Sequence, residues 1–185
     1  MPPSKPQTVG WVTCAVLVLL ALFLAGFYRL PYLDTRPMHT DEAILGVKFI
    51  DFATTGRFNY DPSDYHGPVL HYLTRAYGWF AGWSDYATLE ATNLRRVVVV
   101  CSLLLLLSTL LLGDALGRFA TASSMLMMAV SPMMVFYSRY YIMEVPYVLW
   151  LTLFMASCWR YSQSKSLLWL LVAGVCVGLL HATKE

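Results

Sequence analysis

Five stretches of this chain are long and apolar, and they restrict the possible folds more than any other feature. Their apolar cores contain no Asp, Glu, Lys or Arg. A helix needs about 20 mostly apolar residues to cross the hydrocarbon core of a bilayer, which is ~30 Å thick. The pattern therefore predicts an all-α fold, a polytopic bundle of transmembrane helices. The predicted spans are residues 9–28, 97–116, 119–137, 145–161 and 166–182.

The overall composition indicates lipid rather than water as the main solvent of the chain. Of the 185 residues, 58% are hydrophobic and 13% are charged, whereas soluble domains carry about 25% charged residues. The net charge of +2 is spread along the chain, and no basic stripe indicates a nucleic-acid partner. The cysteines stand singly in apolar runs, without the spacing of a zinc site. We therefore expect the bilayer as a partner and no nucleic acid.

The cations in the short loops predict how the chain is oriented in the membrane. Short cytoplasmic loops carry an excess of Lys and Arg. A cytoplasmic N-terminus puts four such cations inside, against one, Arg139, in the competing short loop. The predicted organisation is then a disordered cytoplasmic tail over residues 1–8 and a long external loop over residues 29–96. The four inside cations are Lys5, Arg118, Arg160 and Lys165.

The long external loop contains two candidate amphipathic helices. The first has Thr40 as its predicted N-cap, carries Asp41 and Glu42 in its first turn, and stops at Gly56. The second starts at Pro68, which suits the first position of a helix. Tyr and Trp are frequent throughout this loop. Such aromatic residues collect at membrane–water interfaces, so we expect both helices to lie in the interface.

The predicted topology places several polar clusters on one side of the membrane. They occupy residues 39–42, 64–66, 138–144 and 181–185. Ionisable residues at the membrane are costly and mark functional sites more often than not. Their convergence on the external side therefore predicts a site for a charged ligand that is partly embedded in lipid.

Asp41 and Glu42 allow two interpretations. Acids in the first turn stabilise a helix through its dipole and its free N–H groups, and that structural role is sufficient to explain both. Adjacent helical residues also diverge by about 100°, so the two carboxylates do not point at one atom. In the functional interpretation, one acts as a base while the other holds a metal or a neighbouring loop.

The remaining candidates also have two interpretations each. Glu144 is either a helix-terminal acid or a ligand of a metal or substrate hydroxyl. Arg139 and Lys184 are either cations anchored at the interface or phosphate contacts, and the Arg fork suits phosphate because it binds two oxygens at once. His66 is either a turn residue or a phosphate contact at a helix start. Pro132 is predicted to kink the third span and to open room near the site.

The order of these motifs resembles the GT-C glycosyltransferases, membrane enzymes that use lipid-linked sugars. Residues 39–43 (His-Thr-Asp-Glu-Ala) open the first external loop, where protein O-mannosyltransferases and aminoarabinose transferases have their catalytic acid. Residues 64–68 (Asp-Tyr-His-Gly-Pro) resemble the Asp-x-His-Pro-Pro stretch of the O-mannosyltransferases, with Gly67 in place of the first proline. Residues 138–144 resemble the second acidic motif, and residues 183–184 resemble the Thr-Lys-Gly after the fifth span. The chain is also similar to the group described as flippase activity-associated or mannosyltransferase-like proteins.

The resemblance implies a GT-C-like fold and the transfer of a hexose, such as mannose, from a polyprenyl-phosphate donor. It implies that Asp41 and Glu42 are the catalytic acids, with Asp41 as the base. It implies a divalent cation, Mg²⁺ or Mn²⁺, with Glu144 as a ligand. Tyr65 stands where aminoarabinose transferases have a Glu, so that metal ligand is not carried over. The implied substrate or phosphate contacts are Asp64, His66, Arg139 and Lys184.

Two other functions remain open at the level of sequence. In the first alternative the protein is a flippase-associated protein for lipid-linked sugars. In the second it is an assembly subunit without catalytic activity. We expect an integral protein of the cell membrane with its active site on the external face. We also expect this chain to be the N-terminal part of a longer protein and to lack activity alone, because GT-C enzymes have more spans.

Overall fold

The computed structural model describes residues 10–61, 66–86 and 88–184, and the secondary structure of this part of the chain consists of helices joined by loops, with a single β-bridge. A 3₁₀ turn, Thr109–Leu112, connects the fourth and fifth helices. The predicted tail over residues 1–8 lies outside the described residues. The helices are α1 (Trp11–Arg29), α2 (Thr40–Thr55), α3 (Val69–Phe80), α4 (Ala91–Ser108), α5 (Gly113–Leu116), α6 (Arg118–Val130), α7 (Pro132–Ser138), α8 (Glu144–Ser164) and α9 (Leu167–Thr183).

The prediction of an all-α membrane bundle is confirmed. Two helical stretches, Trp11–Arg29 and Ala91–Leu116, are long and apolar enough to cross a membrane. A third candidate is formed by α6 and α7 together, which are bent by 63° relative to each other. Helix α9 is apolar but shorter, and the crossing of the membrane by α8 and α9 stays a prediction.

Helix α4 joins the two halves of the bundle. On one side it packs with α1 and α6 around a small core made mainly of Ala21, Ala25, Leu106, Met125 and Ala129. Small residues allow helix backbones to approach closely in membranes, and the three alanines in this core are fully buried. On its other side α4 packs against α8, which packs in turn against α9. A larger core there also includes α2 and α3.

The predicted kink at Pro132 is confirmed, and its cause is visible in the hydrogen bonds. Proline has no N–H to donate to the carbonyl four residues earlier, and its ring clashes with the preceding turn. The break leaves the carbonyls of Met128 and Ala129 without their usual helical donors. Arg29, fully buried at the end of α1, replaces them: its Nη2 donates to Met128 O at 2.9 Å and its Nη1 to Ala129 O at 2.7 Å. Arg29 therefore fastens α1 to the broken helix.

Replacing Arg29 by Met should destabilise the protein by about 2–4 kcal/mol, because each hydrogen bond to a charged group contributes about 1.5–3 kcal/mol. Thermal unfolding in detergent measures the loss, with exposed Arg96→Met as the matched control. The loss should be smaller in a Pro132→Ala background, since an alanine at that position restores an N–H that can donate to Met128 O. Equal losses in the two backgrounds would contradict this account of the break.

The two helices of the external loop form close to their predicted positions. Helix α2 ends at Gly56, whose φ of 71° lies in the left-handed region that favours glycine. Helix α3 begins at Val69, directly after Pro68. The predicted N-cap, Thr40, is wrong by one residue, because His39 caps α2. The His39 ring accepts the N–H of Asp41 through Nδ1 at 3.3 Å, and histidine is not among the usual capping side chains.

Candidate active site

The convergence of the polar clusters is confirmed for the residues that the structure describes. The end of α1, the starts of α2, α3 and α8, and the end of α9 meet at one end of the bundle. Asp64, a predicted substrate contact, lies outside the described residues. The opposite end of the bundle carries a separate ion pair, between Arg160 and Asp114 at 2.8 Å.

Glu42 is the centre of a buried hydrogen-bond network. Its side chain is fully buried, and the side chain of its partner Arg95 in α4 is only 1% exposed. Arg95 donates to both carboxylate oxygens at 2.9 Å, and Arg36 donates to Oε2 at 3.1 Å. The backbone N–H groups of His39 and Tyr141 donate at 3.0 and 2.9 Å. Glu42 thereby joins α2, α4 and the loop before α8.

The contacts of Glu42 favour one of the two roles that the sequence left open. Burial by itself raises the pKa of Glu42, but the hydrogen bonds from Arg95, Tyr141 and His39 outweigh it and hold the pKa below its ordinary value. Glu42 is therefore ionised at neutral pH, with both oxygens occupied by donors. Such a carboxylate holds a neighbouring loop in place rather than a metal or a substrate proton.

Asp41 has the opposite environment, as the divergence of adjacent helical residues predicts. Its side chain is 68% exposed, while the next residue points into the protein. Its Oδ2 lies 3.4 Å from the Nδ1 of His39, which is itself 56% exposed. The carboxylate of Asp41 is thus presented at the surface from a helix start that the buried Glu42 fixes in place.

Arg139 and two other arginines line a cavity of about 440 Å³ between the end of α1 and the break before α7. We call it the arginine pocket, and its cations are Arg36, Arg95 and Arg139. Arg139 donates to three backbone carbonyls, those of Tyr28, Pro31 and Tyr32, at 2.7–3.3 Å. Partial burial and the charges of Arg36 and Arg95 lower the pKa of Arg139. The room predicted to open beside the kink is therefore present and positively charged.

His66, Lys184 and Glu144 form a second group at the same end of the bundle. His66 and Lys184 face each other across an antiparallel β-bridge, and the N–H of Gly67 donates to Thr183 O at 3.3 Å. Lys184 Nζ lies 3.4 Å from Glu144 Oε1, and both side chains are about half exposed. The structure thus brings three of the predicted residues together, while Arg139 lies with the arginine pocket.

Gly67 makes the second group possible because no side chain fits at its position. A Cβ on Gly67 would lie 1.9 Å from the carbonyl oxygen of Ala182 and 2.6 Å from its carbon. These are backbone atoms that cannot rotate away. A proline, which the O-mannosyltransferase motif has at this position, would also lack the N–H that donates to Thr183. The departure from that motif therefore accompanies a close contact between α9 and the start of α3.

Replacing Gly67 by Ala should separate His66 from Lys184 and lower the activity of the full-length protein at least about tenfold, since misplacing site groups by ~1 Å can cost about 100-fold. The measurement is the initial rate of the sugar transfer that the resemblance to GT-C enzymes implies, at matched expression. Gly178→Ala is the control, because a Cβ there meets no atom within 4 Å. Equal rates for Gly67→Ala and Gly178→Ala would show that the bridge does not matter for activity.

The described side chains around Glu144 supply too few ligands for the predicted metal site. Divalent cations such as Mg²⁺ prefer several carboxylate or carbonyl oxygens, but Glu144 contacts a lysine. Within residues 10–61, 66–86 and 88–184, no three His, Cys, Asp or Glu side chains come close enough to hold a metal ion. The described residues do not complete a site around Glu144, and the requirement for Mg²⁺ or Mn²⁺ stays a prediction.

Comparison with known proteins places the chain in a family. A sequence profile of the dolichyl-phosphate-mannose-protein mannosyltransferases matches residues 63–185, about two thirds of the chain. The match begins after Asp41 and includes His66, Arg139, Glu144 and Lys184. No curated protein and no solved structure matches the chain. The profile covers most of the chain, and together with the apolar helices it identifies an integral membrane protein that belongs to the dolichyl-phosphate-mannose-protein mannosyltransferase family.

Proposed function

We propose that the full-length protein transfers mannose from a polyprenyl-phosphate donor to a hydroxyl group of an acceptor protein at the external face of the membrane. The family supports the donor and the sugar, since its name specifies a dolichyl-phosphate-mannose donor and a protein acceptor. The observation that carries the proposal is the exposed Asp41 carboxylate, presented at the end of the bundle where the cations collect.

In this proposal Asp41 acts as the general base. The acceptor hydroxyl oxygen attacks the anomeric carbon of mannose, and Asp41 takes the hydroxyl proton as that bond forms. The bond between the anomeric carbon and the phosphate oxygen breaks, and its electron pair leaves with the polyprenyl phosphate. A single displacement of this kind inverts the anomeric configuration. Positioned bases contribute typically ~10²–10⁴-fold to the rate of such reactions.

The cations of the site would stabilise the charge that grows on the leaving phosphate. Preformed positive groups aimed at developing charge are among the largest contributions to catalysis. Arg139 has neutral backbone carbonyls as its partners, so its charge is not cancelled by a carboxylate. Lys184 is half exposed beside Glu144, and His66 is held next to it by the β-bridge. These three residues are our candidates for contacts to the donor phosphate.

The proposed orientation has the N-terminus in the cytoplasm and the site outside. Arg118, Arg160 and Lys165 lie near the end of the bundle opposite to the site, where Arg160 also donates to Leu111 O at 2.9 Å. Cytoplasmic loops are enriched in such cations. The charge distribution of the bundle supports an external site.

The broken helix also gives some support to a flippase-associated role. Transporters place broken helices and polar binding groups near the bilayer midplane, and the 63° break between α6 and α7 is a feature of this kind. Here, however, the carbonyls released by the break are bonded to Arg29, the last residue of α1. The break therefore lies beside the end of α1, at the same end of the bundle as the charged groups. This position favours the transferase.

The experiment uses membranes that contain the full-length protein and a polyprenyl-phosphate donor labelled in its sugar. We expect label in protein and free polyprenyl phosphate in equal amounts with the mannosyl donor, and less of both with the glucosyl donor. Release without transfer to protein would assign a different acceptor. The absence of both signals with every donor would contradict the transferase. Lipid translocation would then be measured to test the flippase-associated role.

A further inference from the structure

A second cavity lies at the end of the bundle opposite to the proposed active site. It has a volume of about 380 Å³, and its walls come from α1, α6 and the segment that joins α4 to α5. We call it the α1–α6 pocket. Both helices begin at this end, so Trp11 and Arg118 stand at the outer rim, while Val18 and Ala122 line the pocket about one to two helical turns further into the bundle. The pocket thus has a charged outer rim and an apolar interior.

The charges at this rim leave an excess of positive charge. Among the described residues that line the pocket, Asp114 is the one carboxylate, and Arg160 pairs with it at 2.8 Å. This pair leaves the exposed Arg118 without a carboxylate at the pocket. Arginine keeps its charge in proteins, and Lys165 adds another cation at the same end of the bundle. Basic pockets between transmembrane helices on the cytoplasmic side bind the head groups of anionic lipids.

Gly113 leaves space in the pocket that its backbone does not require. Its φ of −58° and ψ of −32° are ordinary helical values that any residue adopts. Glycine is also the weakest helix former apart from proline. An added Cβ would lie 4.0 Å from Oγ1 of Thr121, which lines the same pocket, so a larger side chain would occupy the cavity. The glycine therefore keeps room for a ligand.

The pocket is within reach of a lipid in the neighbouring leaflet. Trp11 is 71% exposed beside it, and tryptophan collects at membrane interfaces. Along α1, the side chains of Val16 and Leu19 are exposed as an apolar surface that suits lipid chains. A lipid beside α1 would therefore have its head group at the level of Arg118 and its acyl chains at the level of Ala15 and Val18, which both line the pocket.

We propose that the α1–α6 pocket binds an anionic phospholipid, which belongs to the cytoplasmic leaflet in the orientation proposed above. Arg118 donates to the phosphate, since an arginine fork binds two of its oxygens at once. One acyl chain fills the apolar interior along α1 and α6. The bound lipid would stabilise the packing of these two helices at the end of the bundle where Arg29 does not reach. It takes no part in mannosyl transfer.

The test measures thermal unfolding of the full-length protein in neutral detergent, with either phosphatidylglycerol or phosphatidylcholine added at the same mole fraction. A ligand that binds the folded state raises the melting temperature. We expect phosphatidylglycerol to raise it by about 2–4 °C more than phosphatidylcholine does. Arg118→Gln should abolish this difference, and Arg118→Lys should keep part of it. Arg96→Gln is the matched control, because Arg96 is an exposed arginine next to a membrane span at the opposite end.

A second variant fills the pocket without changing any charge, which keeps the test valid if Arg118→Gln does not fold. Gly113→Leu should unfold without lipid at the wild-type temperature or above, but it should lose the effect of phosphatidylglycerol. Gly174→Leu is its control and should keep the effect, since a Cβ there meets no atom within 4 Å.

The outcomes are independent of the proposed function, because no transferase substrate is present. Wild-type responses to phosphatidylglycerol in both Arg118→Gln and Gly113→Leu would overturn the proposal. An equal response of the wild type to phosphatidylcholine would overturn it too, since the charge would then play no part. A response of the same size to glycerol phosphate, which has no acyl chain, would overturn the assignment to a lipid and indicate a soluble anion.

Discussion

Glu42→Gln should destabilise the protein by about 3–5 kcal/mol, the range measured when one partner of a buried ion pair is removed. The substitution keeps the size of the side chain but removes its charge. Arg95, which is 1% exposed, would then be a buried cation without an anion. An amide also has one acceptor oxygen in place of two, so its NH₂ group would face donors from Arg95, Arg36 or Tyr141.

Thermal unfolding of the full-length protein in detergent measures this loss. Glu90→Gln is the matched control, since Glu90 is exposed and its side chain makes no cap hydrogen bond to α4. The double variant Glu42→Gln with Arg95→Gln should lose less than the sum of the two single variants, because the removal of both charges leaves none unpaired. A melting temperature for Glu42→Gln within error of Glu90→Gln would show that the buried network contributes little.

The fold could be predicted from local signals in the sequence. Uninterrupted apolar runs predict membrane helices because lipid cannot satisfy an irregular backbone, and the described part of each predicted span is helical apart from the break at Ser131. Gly56 and Pro132 act through the backbone of their own residue, so the end of α2 and the kink were also predictable. The N-cap of α2 was missed because His39 performs a role that is usually filled by Ser, Thr, Asp or Asn.

The partners within the site could not be predicted, because they depend on contacts between distant segments. Arg95 was not among the candidates, and its available signal was a position two residues before the apolar run that starts at Val97. Its pairing with Glu42 joins residues 53 positions apart. Arg36 was likewise not among the candidates, and Arg29 appeared as a boundary residue. The guanidinium groups of Arg29 and Arg95 are buried, and that of Arg36 is partly buried, by packing between segments that sequence periodicity does not align.

The contrast between Asp41 and Glu42 is the most informative result for function. From sequence, the two acids had the same candidate roles. The structure buries Glu42 in a saturated network and leaves Asp41 exposed. An exposed acid with no buried partner is dispensable for stability, since surface substitutions usually change stability by less than about 0.5 kcal/mol. Loss of activity on changing Asp41 would therefore report chemistry rather than folding.

Asp41→Asn should lower the rate of mannosyl transfer by about 10²–10⁴-fold, the contribution of a positioned general base. Asparagine has nearly the same shape and leaves the backbone N–H bonded to His39, but it cannot take the proton of the acceptor hydroxyl. Asp51→Asn is the control, because Asp51 is an exposed acid on the same helix, α2.

The most direct test of the proposed site is therefore the initial rate of mannosyl transfer by Asp41→Asn and Asp51→Asn in membranes that contain equal amounts of each full-length variant. Unfolding in detergent is measured on the same samples to show that both variants fold. We predict that Asp51→Asn stays close to the wild-type rate while Asp41→Asn loses at least about 100-fold. A folded Asp41→Asn protein that retains half or more of the wild-type rate would contradict the assignment of Asp41 as the base.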